Sequence, residues 1–252
     1  MPRIVAITNQ KGGVAKTTTT ASLGAAFAEL GEKVLLVDLD PQACLTFSLG
    51  IDPEDLTQSI HHVLLGQAKA FDVMIDTDDF MDLIPASIEL TAAEAQLMTR
   101  PGREYVLREA LKPVVEDYDW VLMDCSPSLG IITLNALSAA QEVIVPMHCE
   151  TLSHRGLGQL LETIEEVKQF TNPELSVLGV LPVMFDGQYE HERSILADVQ
   201  RTYGLRVWPA VPRSIRFAEA PARGRSILAT DPQSPGAMVY RDLARSLIAT
   251  SA

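Results

Sequence analysis

The feature that most constrains this chain is a glycine-containing segment, Lys11–Thr18, which follows the short apolar run Ile4–Ile7. The pattern predicts a strand, a tight turn and a helix over residues 17–30. The segment is not the ordinary G-x-x-x-x-G-K-[ST] motif, because Gln10 and Ala15 stand where that motif has glycine. What remains is K-G-G-x-x-K-[ST]-[ST], with a second lysine at the front of the loop.

A strand, a turn and a helix in this order form a site for polyphosphate, because backbone N–H groups and the helix N-terminus point at one place. Lys16 can reach the β- and γ-phosphates, and the hydroxyl of Thr17 can ligate Mg²⁺. The alternative is a surface loop without a ligand, since a Lys-Gly-Gly turn alone is common. The candidate nucleotide-binding residues of the loop are Gly12, Gly13, Val14, Ala15, Lys16 and Thr17.

Acidic residues follow two further apolar runs. Asp38 and Asp40 come after Val34–Val37, and Asp124 comes after Trp120–Met123. Continuous apolar runs fit buried parallel strands, and ligands bind beyond the carboxyl ends of such strands. We therefore expect the three carboxylates to converge on the phosphates. One of them suffices for Mg²⁺ together with the loop hydroxyl, which leaves another to orient the attacking water. The alternative for any one of them is a helix cap.

These segments and several others resemble the ParA/Soj-type partition ATPases, members of the ParA/MinD superfamily with a deviant Walker A loop. The resemblance covers the chain nearly end to end, and only residues 51–100 carry little of it. It implies an α/β P-loop fold, a mainly parallel twisted sheet with helices on both faces. The segments that carry it are Ile7–Gln10, Val37–Gln42, Asp124–Gly130, Asn135–Leu137, Val145–Pro146, Cys149–Glu150, Gly156–Leu161, Met184–Asp186, Pro212–Arg213 and Glu219–Pro221.

In that family two ATP-bound subunits close face to face. The resemblance implies that Lys11 crosses to the partner's nucleotide, like an arginine finger supplied in trans. It also implies that Thr18 binds phosphate oxygens and that Asp40 positions water. Asp38 and Asp124 would support Mg²⁺ through its waters. The residues expected near the adenine are Met184 and Pro212.

Charge is unevenly distributed along the chain. The net charge is −13, but residues 201–252 hold eight arginines, no lysine and three acids, a balance of +5 against −18 elsewhere. Repulsion is screened over roughly 8 Å at physiological salt, so a local basic face can still hold DNA. The resemblance implies double-stranded DNA bound without sequence preference beside the dimer seam. The candidate DNA-binding residues are Arg213, Arg216, Arg223 and Arg225; Arg241 and Arg245 have an alternative role flanking a docking helix.

The chain departs from the family pattern at three positions. Ala15 replaces a glycine of the loop, which is tolerable if its φ is negative. Gln188 stands where many relatives place an arginine that contacts DNA, and Arg155 occupies a position that is often acidic. The first departure predicts a slower rearrangement of the loop, and the other two predict DNA binding that is weaker than in relatives or that uses other arginines.

Length and composition predict a single domain over residues 1–252. No apolar stretch of 18 residues is present, and the first strand leaves no room for a signal peptide. Cys44, Cys125 and Cys149 form neither a disulfide framework nor a C-x-x-C metal site. We therefore expect a cytoplasmic protein with reduced thiols, and the resemblance implies that it is associated with the nucleoid.

The leading functional hypothesis is an ATPase that dimerises with ATP, binds DNA and positions a cargo, with a ParB-like or McdB-like adaptor that stimulates hydrolysis. The cargo would be a plasmid, a chromosome or a protein body such as a carboxysome. A MinD-like membrane-associated ATPase is the alternative, although residues 243–252 are short and lack the aromatic side chains of a membrane helix. A metabolic or metal-delivery enzyme is disfavoured because the chain lacks C-x-x-C and an added substrate domain.

Predicted strands alternate with predicted helices along the whole chain, which implies a mainly parallel sheet covered on both faces. An acidic segment, residues 66–80, and the neighbouring Asp82 are predicted to be a solvated face. The predicted strands are 3–8, 33–38, 81–85, 119–124, 142–147, 176–182 and 206–210. The predicted helices are 17–30, 43–48, 56–65, 89–97, 103–117, 130–139, 155–171, 189–203 and 236–249.

Overall fold

Seven strands form one sheet in the computed structural model, which describes residues 2–150 and 153–250. Their order is β3-β4-β2-β5-β1-β6-β7, and every neighbouring pair is parallel except β3 and β4. The strands are β1 (Arg3–Ile7), β2 (Val34–Leu39), β3 (Ile75–Asp76), β4 (Asp82–Ile84), β5 (Trp120–Cys125), β6 (Glu142–His148) and β7 (Ser176–Val183).

Helices connect the parallel strands. The helices are α1 (Lys16–Glu29), α2 (Cys44–Ser48), α3 (Ile60–Leu65), α4 (Leu90–Leu97), α5 (Val106–Val115), α6 (Ile131–Ala139), α7 (Ser153–Phe170), α8 (Glu190–Tyr203), α9 (Arg216–Glu219), α10 (Ile227–Thr230) and α11 (Pro235–Ala249). Short 3₁₀ turns cover Ala70–Val73, Arg103–Tyr105 and Pro221–Arg223.

The central strands bury side chains on both faces, because a period of two sends successive residues to opposite sides. In β2, Leu35 packs into the cluster formed with α3 to α8, whereas Leu36 packs into the cluster formed with α1 and α11. Both side chains are fully buried. The predicted fold, a mainly parallel sheet with helices on both faces, is confirmed.

The C-terminal helix α11 is fixed to the body of the protein at its middle and near its C-terminal end. Arg241 makes a two-pronged ion pair with Glu29 of α1, at 2.6 and 2.8 Å. Arg3 binds Glu142 through Nε and Nη2 at 2.9 and 2.8 Å, and its Nη1 donates to the carbonyl of Leu247 at 2.6 Å. The apolar side of α11 packs into the core, in agreement with a docking helix.

Some predicted elements differ from those observed. Residues 206–210 form no strand: Val207 makes a single bridge to Val180, and Pro209 lacks the N–H that a ladder needs. The helix predicted from residue 56 begins at Ile60, because the backbone N–H of Ser59 is capped by the ring of His62 at 3.2 Å. The elements β3, α9 and α10 were not predicted, since two to four residues carry no periodic pattern.

The acidic segment, residues 66–80, is only partly a solvated face. Asp72, Asp76 and Asp78 are exposed, but the prediction is wrong for Asp79, which is buried. One oxygen of Asp79 accepts from Nε of Arg225 at 2.7 Å, and the other accepts from the N–H of Ser226 at 2.7 Å. The carboxylate thereby ties the β3–β4 turn to the arginine-containing C-terminal region.

Candidate functional site

The glycine-containing loop links β1 to α1, and two of its residues adopt left-handed backbone. Gly13 has φ 71°, and Ala15, directly before α1, has φ 55°. The negative φ that would make an alanine tolerable at this position is therefore not observed. An alanine in this region costs about 1 kcal/mol relative to glycine. Strained residues of this kind concentrate in ligand-binding loops.

Lys16 begins α1 with its side chain inside the loop. It is 7% exposed, and its ammonium donates to the carbonyl of Lys11 at 3.1 Å. Burial lowers the pKa of Lys16, and the negative charge of Asp124 opposes that shift. A lysine has three donors, so capacity remains for phosphate oxygens. The space that a Cβ would take at Gly12 and Gly13 is open, so a polyphosphate fits against the backbone.

Two hydroxyl oxygens suited to Mg²⁺, those of Thr17 and Thr20, lie near the start of α1. The hydroxyl of Thr17 donates to Asp124 Oδ2 at 2.7 Å, and the hydroxyl of Thr20 lies 3.3 Å from Asp124 Oδ1. Burial, followed by the charge of Asp38, raises the pKa of Asp124 well above its ordinary value. Among residues 2–150 and 153–250 no group of three metal-binding side chains occurs. Mg²⁺ fits such a place, because it keeps several waters and needs few protein ligands.

Asp38 is fully buried, and its carboxylate binds protein donors. Oδ2 accepts from the N–H and the hydroxyl of Thr46 at 2.9 and 2.7 Å, and Oδ1 accepts from the N–H of Asp40 at 3.1 Å. Burial raises the pKa of Asp38 to about 6, and the bonds from Thr46 oppose the shift. Asp38 therefore holds α2 and the Asp40 segment in place, and its support of Mg²⁺ through water stays a prediction. Asp40 itself is half-buried and accepts from the N–H of Gln42 at 2.9 Å.

The front lysine, Lys11, lies in a different environment from Lys16. Its side chain is 38% exposed, and its ammonium forms an ion pair with Glu150, which lies beyond the end of β6. Nδ1 of His148 also contacts Glu150, at 2.8 Å. Asn9 joins the loop to the same strand, because it accepts from the N–H of Lys11 at 3.0 Å and donates to the carbonyl of Pro146 at 2.8 Å.

A cavity of about 310 Å³ lies beside the loop. It brings together the loop residue Thr18 and both residues expected near the adenine, Met184 and Pro212. Phe217 and Tyr240 also line it, and Tyr240 is held by Thr19 with 3.1 Å between the hydroxyls. Sequence reasoning missed these two aromatic residues, because nothing near them in the sequence marks a nucleotide site.

The four candidate DNA-binding arginines differ in their surroundings. Arg213 and Arg223 are exposed, and neither makes an ion pair within the described chain. Arg216 is exposed and lies 2.8 Å from Glu219. Arg225 is bound to the buried Asp79 at 2.7 Å, which gives it a structural role. Contact of any of them with DNA stays a prediction.

Comparison with known proteins agrees with this geometry. The family described as AAA domain matches residues 2–177. Sporulation initiation inhibitor protein Soj of Bacillus subtilis is 42% identical over 251 residues, 99% of each chain. Chromosome partitioning protein ParA of Myxococcus xanthus is 40% identical over 248 residues, 98% of this chain and 88% of that protein. The chain belongs to the ParA/Soj family of P-loop ATPases. The predicted family and the predicted ATPase class are confirmed.

One solved structure that is similar to this chain is named as an enzyme other than a partition ATPase. Cobyrinic acid a,c-diamide synthase from Mycobacterium smegmatis, with a bound ATP analogue and magnesium, is 50% identical. It superposes with a TM-score of 0.89 over 98% of this chain and 95% of that one. Its ligands are the two that the sequence predicts here. Within the described residues, no helix has the length and apolar character to cross a bilayer.

Proposed function

We propose that this ParA/Soj-type ATPase dimerises when it binds ATP with Mg²⁺, that the dimer binds DNA without sequence preference, and that it positions a cargo. An adaptor protein, ParB-like or McdB-like, binds it and stimulates hydrolysis. The cargo is a plasmid, a chromosome or a protein body, and the protein resides on the nucleoid. These statements rest on the family and on the arrangement of the site.

The single observation that carries the dimer proposal is the contrast between the two loop lysines. Lys16 is buried and bound to the loop carbonyl at 3.1 Å, where it can neutralise phosphate in its own subunit. Lys11 extends from the same loop to the surface. A surface lysine beside a phosphate site is placed to reach a nucleotide held by a facing subunit. Its ion pair with Glu150 is exposed and contributes little, so it can be exchanged for phosphate.

The remaining residues of the site have separate roles in this proposal. Lys16 and the N–H groups of the loop bind phosphate oxygens. Thr17 and Asp124 would hold Mg²⁺, directly or through water; when bound, the cation neutralises charge that develops on the phosphates. Asp40 accepts a hydrogen bond from water and orients it toward the γ-phosphate. Asp38 accepts a hydrogen bond from the N–H of Asp40 at 3.1 Å and thereby keeps the Asp40 segment in place.

DNA binding is assigned to the exposed arginines near the nucleotide cavity. Arg213 lines that cavity and is exposed as well, so a change at the nucleotide can reach it. Arg223 has a charge without an acidic partner among the described residues. Arg216 would exchange Glu219, at 2.8 Å, and Asp231, at 3.5 Å, for phosphate, since exposed ion pairs are weak. Dimerisation doubles this basic surface, so two sets of contacts act on one duplex.

Binding of unrelated DNA duplexes tests this proposal. The protein is titrated onto two duplexes of different sequence with ATP, with ADP and without nucleotide, and its mass is measured by light scattering. We expect a dimer and equal affinity for both duplexes with ATP only. The control is Lys16→Ala, which should neither dimerise nor bind DNA when ATP is added. A parent that stays monomeric in ATP, or that prefers one duplex strongly, contradicts the proposal.

A second candidate function comes from the solved relative named as an amide synthase. Its 50% identity over nearly the whole of both chains favours a shared reaction as much as a shared fold. The two candidate functions are distinguished by incubating this protein with ATP, cobyrinic acid and an ammonia donor and analysing the products by mass spectrometry. Conversion of carboxylate to amide would favour the synthase, and ATP hydrolysis stimulated by DNA would favour the partition ATPase. The MinD-like alternative is weakened because α11 packs on α1 with Tyr240 and Leu243 buried.

A further inference from the structure

A strained turn, residues 184–187, joins β7 to the segment before α8. Met184 has φ 53° and Gly187 has φ 73°. A methionine is rarely found in the left-handed region, because its Cβ meets the following backbone. A Cβ at Gly187 would come within 3.0 Å of the Phe185 ring. The turn therefore requires contacts from elsewhere to stay in this form.

Two neighbouring side chains of α8 supply such contacts. Glu192 is 9% exposed, and its Oε2 accepts from the N–H of Asp186 at 3.2 Å and from the N–H of Gly187 at 3.0 Å. The guanidinium of Arg193 donates to the carbonyl of Gly187. Both backbone polar groups of Gly187 are thus bound by α8. A buried carboxylate that accepts two N–H groups is a strong constraint on the backbone.

The same turn connects the nucleotide cavity with the arginine segment. Met184 lines the cavity. The N–H of Phe185 donates to the carbonyl of Val211 at 3.0 Å, and the N–H of Arg213 donates to the carbonyl of Phe185 at 3.3 Å. Arg213 also lines the cavity. The position of the turn therefore fixes one wall of the cavity and the backbone that carries Arg213.

We propose that Glu192 is a positioning residue of the nucleotide site. By binding the N–H groups of Asp186 and Gly187, it holds the turn 184–187 so that Met184 meets the nucleotide and Arg213 is presented to DNA. Glu192 touches neither ligand. The inference rests on the proposed function for its DNA part, whereas its nucleotide part depends only on the ATPase site.

The test compares Glu192→Ala, Glu192→Gln and a matched control, Glu190→Ala. Glu190 is an exposed acid in the first turn of the same helix. For each variant we would measure affinity for a fluorescent ATP analogue with Mg²⁺, affinity for duplex DNA at saturating ATP, and the unfolding midpoint without nucleotide. The glutamine variant matters because its side-chain oxygen can accept the same two N–H groups.

We expect Glu192→Ala to weaken nucleotide affinity roughly 5- to 15-fold, about the contribution of one ordinary hydrogen bond, because Glu192 acts on the nucleotide only through the turn. DNA affinity in ATP should fall by a similar factor. Glu192→Gln should stay within about threefold of the parent, and Glu190→Ala should match it. Parent-like nucleotide affinity in Glu192→Ala overturns the inference, including the case where only the unfolding midpoint falls. A parent that binds ATP but no DNA contradicts the proposed function alone, and the nucleotide measurement still decides the role of Glu192.

Discussion

Asp38 and Asp124 are paired in register on the neighbouring strands β2 and β5, yet their carboxylates bind donors in different parts of the site. Asp124 accepts from the hydroxyl of Thr17 at 2.7 Å, at the start of α1. Asp38 accepts from the N–H and hydroxyl of Thr46, at the start of α2. One aspartate thus faces the phosphate loop, and the other fixes the segment that carries Asp40.

The buried Asp38 predicts a specific effect of pH on the nucleotide-free protein. Its pKa is raised by burial from 3.8 to about 6. Between these values the unfolded chain has released a proton that the folded chain keeps. The contribution of Asp38 to stability is therefore present below about pH 4 and lost as pH rises through about 6.

Thermal unfolding of the parent and of Asp38→Asn across this range measures the effect. As pH rises, the thermal stability of Asp38→Asn should increase relative to that of the parent. Asp72→Asn, a change at an exposed acid, serves as the control and should run parallel to the parent. Parallel curves for Asp38→Asn would show that this carboxyl has the same pKa in both states.

The two loop lysines should differ in their effect on ATP affinity. Lys16→Ala removes the buried ammonium that meets the phosphates, and we expect a loss of affinity of at least roughly 100-fold. Lys11→Ala leaves the site of its own subunit intact, so affinity should stay within about threefold while hydrolysis falls. Calorimetric titration with a non-hydrolysable ATP analogue gives both values. Equal losses would contradict the separate roles.

Asp40→Ala should trap the closed dimer. The change removes the carboxylate that orients water but none of the phosphate contacts, so hydrolysis should fall roughly 100-fold or more. Size-exclusion chromatography with ATP should then show a dimer that persists for longer than that of the parent. Asp52→Ala, at an acid outside the site, is the control. Hydrolysis at the parental rate in Asp40→Ala would refute the assignment of Asp40.

The arginines should contribute unequally to DNA binding. Arg213→Glu and Arg216→Glu should each remove measurable binding near 0.15 M salt, and Arg223→Ala should reduce the slope of log affinity against log salt by about 0.9 per lost phosphate contact. Arg225→Ala should instead lower stability, since it leaves a buried carboxylate unpaired. Gln188→Arg should tighten binding. Filter binding at several salt concentrations, with ATP affinity as control, measures the effects on DNA binding, and thermal unfolding measures the effect of Arg225→Ala. Unchanged DNA affinity in Arg216→Glu would place the surface elsewhere.

The parts of the site that lie on one continuous segment could be predicted from the sequence. The loop residues Gly12 to Thr18 and the aspartates that end β2 and β5 follow from local spacing and from the parallel sheet. Those predictions needed only the period of the strands and the position of the glycines. The sheet brings Thr17 and Asp124 to 2.7 Å across 107 positions of sequence, as the strand-end argument requires.

Other parts depended on distant contacts that no local pattern records. The positive φ of Ala15 is set by the loop closing on α1, although alanine by itself disfavours it. Tyr240 reaches the cavity because α11 packs along α1, and Phe217 of α9 lies against Tyr240 with 6.1 Å between the ring centroids. Asp79 looks like its exposed neighbours in sequence, and its contacts with the distant Arg225 and Ser226 distinguish it. Tertiary packing thus determines the strained backbone at Ala15, the aromatic side chains that line the cavity and the burial of Asp79.

Mixed dimers test the central claim, that Lys11 of one subunit completes the site of the other. Lys11→Ala and Asp40→Ala proteins are mixed in equal amounts before ATP and duplex DNA are added, and phosphate release is followed. Each variant alone should be nearly inactive. In the mixture about half of the dimers carry one complete site of two, so we expect about a quarter of the parental rate. Activity no higher than that of the separate variants would contradict it.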